Sequence, residues 1–129
     1  MTPKPRITKL YLCDNAFQDR QNKWNIIGIF TGDVLVEKFP ARIRVTLYVE
    51  IEMYDSLSVN LDLYVGNKKL ATVTAAVDSL NESEKGIGVL AVPGLGLNVD
   101  KPTEFRVVAA IGDHPKRTVY RKGIKQGVV

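Results

Sequence analysis

The chain has 129 residues, of which 45% are hydrophobic and 25% are charged, and these values are ordinary for one globular domain. Its single cysteine excludes an intramolecular disulfide and a cysteine-based zinc site built by one chain. The N-terminus lacks the apolar segment of a signal peptide, and no apolar run approaches the roughly 18 residues of a membrane span. We therefore expect one domain over residues 1–129, cytoplasmic and without a membrane span.

Positive charge is concentrated at the two ends of the chain, whose formal net charge is +4. Eight basic residues and no acid lie within residues 1–12 and 114–129: Lys4, Arg6, Lys9, Lys116, Arg117, Arg121, Lys122 and Lys125. Charged residues at chain ends commonly serve solubility alone. If the first and last strands share a sheet or meet at one end, however, the charges form one basic patch. The five basic residues near the C-terminus, Lys116, Arg117, Arg121, Lys122 and Lys125, are then a candidate site that binds an anionic surface.

Two strands are predicted at the N-terminal end. They cover residues 7–13 (ITKLYLC) and 23–30 (KWNIIGIF), and a polar connection over residues 14–22 joins them. On this interpretation Cys13 closes the first strand. The second strand has apolar residues on both faces, which is typical of a central strand or of one covered by a loop.

Alternation with period two is strongest in two neighbouring segments, residues 43–53 (IRVTLYVEIEM) and 57–65 (LSVNLDLYV). Each places aliphatic side chains on one face, while the other face holds polar residues together with Tyr48 or Tyr64. Turn residues between and after them predict a meander of adjacent strands. It continues through a Gly66-Asn67 hairpin into residues 68–77.

The remaining strands are predicted at residues 34–37 (VLVE), 86–92 (GIGVLAV), 104–111 (EFRVVAAI) and 116–124 (KRTVYRKGI). The segment EFRVVAAI is apolar on both faces, which is typical of a central strand or of one covered on its second side. Residues 78–85 supply at most one helical turn. Residues 93–103 are interpreted as a connection whose glycines serve turn geometry.

This pattern of eight or nine short strands, with a turn about every ten residues, indicates an all-β fold. We predict an antiparallel two-sheet β-sandwich, with a closed barrel as the alternative. In a sandwich the first and last strands often lie at or near sheet edges, where Lys and Arg also discourage edge-to-edge aggregation.

The sequence offers few candidate residues for catalysis or for metal binding. The only histidine, His114, lies in a predicted turn, and nothing places it beside Cys13 to form a nucleophilic pair. Acids in the connections, such as Glu82 and Glu84, lack an Asp-x-Asp pair or the spacing of a calcium loop. The glycines of VPGLGLN are followed by no helix, which a phosphate-binding loop needs. We expect no enzyme, no cofactor and no metal.

Two functions stay open for a non-catalytic module. Tyr48 and Tyr64 are candidates for an exposed aromatic pair that contacts another protein or a second copy of the chain, since tyrosine is enriched at interfaces. The simpler interpretation is a cross-strand pair that only stabilises the sheet. The alternative is an anionic surface or nucleic acid bound by the basic terminal strands, with Tyr120 among the basic residues. Acids beside Tyr48 and Tyr64 weigh against nucleic acid at that face.

The N-terminal motif resembles a family of small bacterial domains of unknown function. Its pattern is a strand ending in Cys-Asp, a small residue, a polar spacer with lysine, and an apolar strand around Ile-Gly-Ile-Phe. The matching residues are Cys13, Asp14, Ala16, Lys23, Ile27, Gly28, Ile29 and Phe30. A late strand, KPTEFRVVAAIGD, is similar as well, although Thr103, Phe105 and the Gly112-Asp113 order depart from the pattern. The resemblance implies an immunoglobulin-like or C2-like sandwich in a cytoplasmic protein of bacterial or phage origin, and it carries over no catalytic residues.

Overall fold

Nine β-strands make up the fold in a computed structural model that describes residues 4–54, 56–77 and 86–127. They are β1 (Arg6–Gln18), β2 (Trp24–Ile29), β3 (Val34–Val36), β4 (Ala41–Met53), β5 (Leu57–Val65), β6 (Lys68–Val77), β7 (Gly86–Val99), β8 (Thr103–Ile111) and β9 (Arg117–Gln126). In these three ranges no helix is long and apolar enough to cross a membrane. The predicted helical turn at residues 78–85 lies outside the described residues.

The strands form two sheets, ordered β2-β1-β4-β7 and β3-β9-β8-β5-β6. The described pairings are antiparallel except that of β3 with β9, which is parallel. Strands β1, β4 and β7 follow the order of strands A, B and E of an immunoglobulin domain, and β9, β8 and β5 follow that of G, F and C. The predicted two-sheet β-sandwich is confirmed, and its strand order is the immunoglobulin-like one.

The core lies between the two sheets and is built from alternate residues along the strands, those whose side chains face inward. Its fully buried side chains include Leu12, Val45, Leu47, Val49, Ile51, Met53, Leu61, Leu63, Leu97, Phe105 and Ile124. Because successive residues of a strand point to opposite faces, the aliphatic residues of β4 and β5 all reach this core. The predicted inward faces of both strands are confirmed.

The prediction of a meander from β4 to β5 is wrong, because the two strands belong to opposite sheets. Alternation identifies an inward face but does not say to which sheet a strand belongs, since both sheets need such a face. The hairpin that follows is confirmed. Val65 pairs with Lys68, and Gly66 has a φ of +61°, as the first central residue of a type II′ turn requires.

Strand β7 is longer than predicted, and this corrects the assignment of its glycines to a turn. Its second half pairs with the start of β4, with Leu97 opposite Ile43 and Gly96 opposite Arg44. Gly94, with a φ of +68°, lies where the pairing register shifts. A bulge therefore absorbs the Pro-Gly sequence, and the strand continues beyond it.

The positions of three other strands bear on the predictions. Strand β8 lies between β9 and β5, so its predicted central place is confirmed. Strands β1 and β9 are each second from an edge, as expected, but they belong to different sheets. Strand β2 is an edge strand, so the prediction of a central or covered strand is wrong.

Candidate functional site

The β1–β2 hairpin extends past the sheet to which it belongs. Strand β1 pairs with β4 only as far as Cys13, and its remaining residues pair with β2 alone. We call residues 14–27 the distal hairpin. The prediction that Cys13 closes the first strand is therefore wrong, because residues 14–18 continue it. Their polar character had suggested a loop, although it comes from a protruding strand in which Ala16 is the only buried residue of the five.

Asp19 organises the turn at the tip of the distal hairpin. Its carboxylate accepts hydrogen bonds from the backbone N–H groups of Gln21 (2.8 Å) and Lys23 (3.0 Å) and from the Asn25 side chain (3.2 Å). These bonds, led by that from Lys23, lower the pKa of Asp19. Asn22 takes a φ of 63°, which asparagine tolerates better than most residues. The polar run of the sequence is thus a tight, internally bonded turn.

Gly28 and Asp14 mark a bend in the hairpin. Gly28 has a φ of +68°, and a Cβ built on it would overlap the Asp14 carboxylate. Cys13 packs against Tyr48 before this point and Ala16 does so beyond it. In a regular strand these two residues would point to opposite faces. The hairpin therefore reverses its faces at Asp14 and Gly28.

One face of the distal hairpin packs on the outer side of the four-stranded sheet and forms a small apolar cluster separate from the core. Its members are Cys13, Ala16 and Tyr48, with Tyr11, Trp24, Ile26 and Val89 packed against them. The Tyr48 ring stacks on Tyr11 at 6.1 Å and meets Trp24 edge-on at 5.7 Å. Burial, followed by the nearby Glu50 charge, raises the pKa of Tyr48 to about 12. The cluster fixes the hairpin on the sheet.

The opposite face of the distal hairpin is apolar and exposed. Phe17 is 43% exposed and Ile27 is 53% exposed. Ile27 lies opposite Asn15 and Phe17 lies opposite Asn25, so the two apolar side chains are diagonal neighbours on adjacent strands. We call Phe17 and Ile27 the apolar patch. Ile29, farther along β2, is also 40% exposed.

Strand β2 is the least protected of the four sheet edges formed by described residues. Edge strands are commonly blunted by proline, by lysine or by being short. Strand β7 contains Pro93, β6 begins with Lys68 and Lys69, and β3 has only three residues. The sequence of β2, WNIIGI, contains no proline and no charge. Its outer backbone groups pair with no described strand, so this edge can accept another one.

The basic residues of the C-terminal run do not form one open patch. Four of the five contact acids or a carbonyl oxygen: Lys116 with Asp62 (2.9 Å), Arg121 with Glu104 (2.7 Å), Lys125 with Asp33 (2.9 Å) and Lys122 with the Phe30 carbonyl (2.8 Å). Arg117 has no ion pair with a described residue. In the N-terminal run, Arg6 pairs with Glu52 and Lys9 pairs with Glu50. Acids from other strands thus neutralise much of the terminal charge, which sequence position alone could not reveal.

Asp62 is a buried acid on the five-stranded sheet that contacts two lysines and a threonine. This residue is 3% exposed, and its carboxylate contacts Lys116 (2.9 Å), Lys69 (3.3 Å) and the Thr72 hydroxyl (2.9 Å). Hydrogen bonds from Lys116 and then Thr72 lower the pKa of Asp62 from 3.8 to about 2. The folded state therefore holds this carboxylate in its charged form.

Acid is expected to weaken the wild-type fold through Asp62. A pKa lower in the folded than in the unfolded chain gives stability that is complete above about pH 4 and is lost as the pH falls toward 2. Asp62→Asn should melt at a lower temperature than wild type at pH 7, and the gap should close near pH 2. Thermal melts from pH 7 to 2 measure this, and a gap that stays constant over the range would contradict it.

The predicted pairing of Tyr48 with Tyr64 is wrong in its geometry. Tyr48 lies on the four-stranded sheet and is only 4% exposed, whereas Tyr64 lies on the five-stranded sheet. Arg106 covers the Tyr64 ring at 4.5 Å from its centroid. The outward faces of β4 and β5 were identified correctly, but they point away from each other.

Cys13 and His114 are placed in different surroundings. The Cys13 thiol is buried in the small apolar cluster, where it donates to the Thr46 carbonyl at 3.4 Å. Burial, followed by the Asp14 charge, raises its pKa and disfavours the nucleophilic thiolate. His114 lies in the β8–β9 turn, where its backbone N–H donates to Ile111 at 3.1 Å. The structure does not bring the two side chains together.

No group of three or more His, Cys, Asp or Glu side chains suited to a metal ion occurs within the ranges 4–54, 56–77 and 86–127. Glu82 and Glu84, the closest approach to paired acids in the sequence, lie outside those ranges.

The sequence did not reveal the site that the structure favours, the open edge of β2, because it did not show which strands pair with β2. The sequence predicted β2 and its two apolar faces, but those faces were interpreted as the mark of a central strand or of one covered by a loop. The sequence signal for the open edge of β2 is the absence of charge and proline in WNIIGI, which follows a turn rich in charged and amide side chains. Such a segment is compatible with a central strand and with an unprotected edge.

A family model described as a family of unknown function (DUF6941) matches residues 9–120. No curated protein matches the chain. The family match confirms the resemblance to a domain family of unknown function indicated by the N-terminal motif.

Proposed function

The chain belongs to this family of unknown function, and because membership assigns no activity, we propose from its surface that it is a non-catalytic binding module that joins a second copy of itself through strand β2. The single observation that carries the proposal is the open edge of β2, uncharged and flanked by the apolar patch of Phe17 and Ile27. Strand addition at such an edge joins two sheets by main-chain hydrogen bonds.

Packing of the distal hairpin on the sheet holds β2 in strand geometry before a partner binds. Trp24 packs edge-on against Tyr48, and Ala16 is buried beside it, so one face of β2 is fixed on the sheet. Backbone groups held in strand geometry lose less conformational freedom when a new strand pairs with them. The bend at Gly28 leaves residues 24–27 as the straight part of the edge.

A second copy suits this edge because β2 carries no charge that would meet itself. A two-fold axis at Asn25 sets Trp24 of one copy opposite Ile26 of the other in an antiparallel pair, and these two residues share one face of β2. Lys23 then lies opposite the uncharged Ile27, so like charges do not face each other. The contact is the same for both copies, as a two-fold dimer requires. The two four-stranded sheets would join into one of eight strands.

The alternative of an anionic surface at the terminal strands has weaker support. Lys116, Arg121 and Lys125 are each within 2.9 Å of a carboxylate oxygen, so a nucleic acid would compete with those acids. We also propose a bacterial, cytoplasmic setting, in keeping with a single buried cysteine that forms no disulfide within the chain.

Replacing Ile27 by lysine is expected to abolish self-association. The change puts a charge on the exposed edge and removes half of the apolar patch, which is how natural edge strands avoid pairing. Sedimentation equilibrium over a concentration series should show wild type rising from the monomer mass of 14.3 kDa toward twice that value. Ile27→Lys should stay at the monomer mass.

Leu35→Lys is the matched control. Leu35 is 45% exposed on β3, the edge of the other sheet, and the substitution adds the same charge there. It should associate as wild type does. A wild type that stays monomeric at every concentration, or an Ile27→Lys variant that associates normally, would refute the proposal.

A further inference from the structure

A shallow groove of about 310 Å³ lies on the outer face of the four-stranded sheet, where β4 begins and β7 ends. Its lining residues are Arg42, Ile43, Arg44, Gly96, Leu97 and Asn98. Arg42 lies opposite Asn98 and Arg44 lies opposite Gly96 in the pairing register. The two arginines are two positions apart and so share the outward face, about 7 Å apart along the strand.

Gly96 has no side chain, and this leaves the groove open. The backbone conformation at this position does not require glycine. Gly96 is not among the residues with positive φ, and a Cβ built on it would meet no atom within 4 Å. Glycine weakens a strand interior unless something must approach the backbone closely. Gly28, by contrast, is required by its φ of +68° and by the Asp14 carboxylate. The open space over Gly96 is therefore room for a group from outside the chain.

The two guanidinium groups have no acidic partner among residues 4–54, 56–77 and 86–127. Neither Arg42 nor Arg44 has an ion pair with a described residue, whereas Arg6, Lys9 and Arg121 on other parts of the sheets all do. The Nε–H of Arg42 donates to Asn98 Oδ1 at 3.1 Å. That bond orients the guanidinium, and since its two terminal NH₂ groups bond no described residue, they can make a bidentate contact.

We propose that this groove binds the phosphate group of a phosphorylated small molecule, with Arg42 and Arg44 as ligands and the organic part lying over Gly96. A phosphate monoester carries about −1.5 to −2 charges at neutral pH, which matches two guanidinium groups. A carboxylate, with one charge, leaves the second arginine unbalanced. The groove volume is near the lower end of small-molecule sites. The site uses neither β2 nor the terminal basic residues, so it stands independently of the self-association above.

The test is a titration of the ¹⁵N-labelled full chain, followed by NMR, with inorganic phosphate, phenyl phosphate and acetate in separate series. We expect saturable shifts at the Gly96 amide and at the Arg42 and Arg44 side-chain Nε–H groups. Phenyl phosphate should bind more tightly than inorganic phosphate, and acetate at least about tenfold more weakly. Arg44→Gln and Gly96→Val should each raise the Kd for phenyl phosphate about tenfold or more, by removing a charged donor and by filling the groove.

Lys68→Ala is the control, because it removes the same charge from the edge of the other sheet and should leave the Kd unchanged. Arg44→Gln, at an exposed position, keeps the test valid if Gly96→Val disturbs the strand. Shifts that do not saturate, acetate binding as tight as phosphate, wild-type binding in Arg44→Gln, or an equal loss in Lys68→Ala would each overturn the proposal.

Discussion

Gly28→Val is expected to destabilise the protein by about 2–5 kcal/mol, because a left-handed conformation costs a non-glycine residue about 1–2 kcal/mol and overpacking adds about 1–3 kcal/mol. Both terms act at this position. Gly28 has a φ of +68°, and the new Cβ would overlap the Asp14 carboxylate. Urea unfolding followed by tryptophan fluorescence measures the loss, since the only tryptophan, Trp24, lies in the same hairpin.

Asp14→Ala separates the two costs. In that background the carboxylate is gone, so Gly28→Val should lose only the part due to its backbone conformation. Gly96→Val provides a second comparison, because Gly96 has open space and no positive φ, and valine suits a strand. That variant should be about as stable as wild type or more so. Equal losses at the two glycines would contradict the account of the bend.

Phe105→Ala is expected to cost about 3–5 kcal/mol, the usual range for a buried aromatic residue. The Phe105 side chain is fully buried between the sheets, where its ring meets Tyr120 edge-on with 6.5 Å between centroids. Since domains of this size are stable by only about 5–15 kcal/mol, the variant should lose a large part of its free energy of unfolding. Chemical denaturation measures this loss directly.

Phe17→Ala is the same substitution at an exposed phenylalanine. Phe17 is 43% exposed, so the change should alter stability by no more than about 0.5 kcal/mol. Because Phe17 belongs to the apolar patch, however, it should weaken self-association. A Phe17→Ala variant that unfolds as readily as Phe105→Ala would show that the distal hairpin belongs to the main core.

Alternation predicted the local structure of the strands well and their neighbours poorly. The inward faces of β4 and β5 followed from period two, because a half-buried strand needs one apolar face whatever its sheet. Which sheet each strand joins depends on contacts distant in sequence. Tyr48 and Tyr64 were therefore both placed outward correctly and paired wrongly. The same limit hid the partners of the terminal basic residues, since Lys116 finds Asp62 only in the folded sheet.

The predictions for strand β2 and for the end of β7 were wrong for a different reason. In both segments the same local sequence pattern is compatible with two different structures. Apolar residues on both faces of β2 suggested a central strand, but one face packs on Tyr48 and the other carries the exposed Ile27. Gly94 and Gly96 suggested a turn, although a bulge and an open groove account for them. These are also the two surfaces to which we assign binding, where local rules are most often broken for function.

The most direct measurement of the central claim is hydrogen exchange of the β2 amides at low and high protein concentration. In the monomer, the outward N–H groups of residues 24–27 have no strand partner and should exchange rapidly. If β2 pairs with a second copy, their exchange should slow as concentration rises, while the amides of the β6 edge stay unchanged. Exchange at β2 that is independent of concentration, in a sample whose mass shows it to be dimeric, would contradict the assignment of this edge.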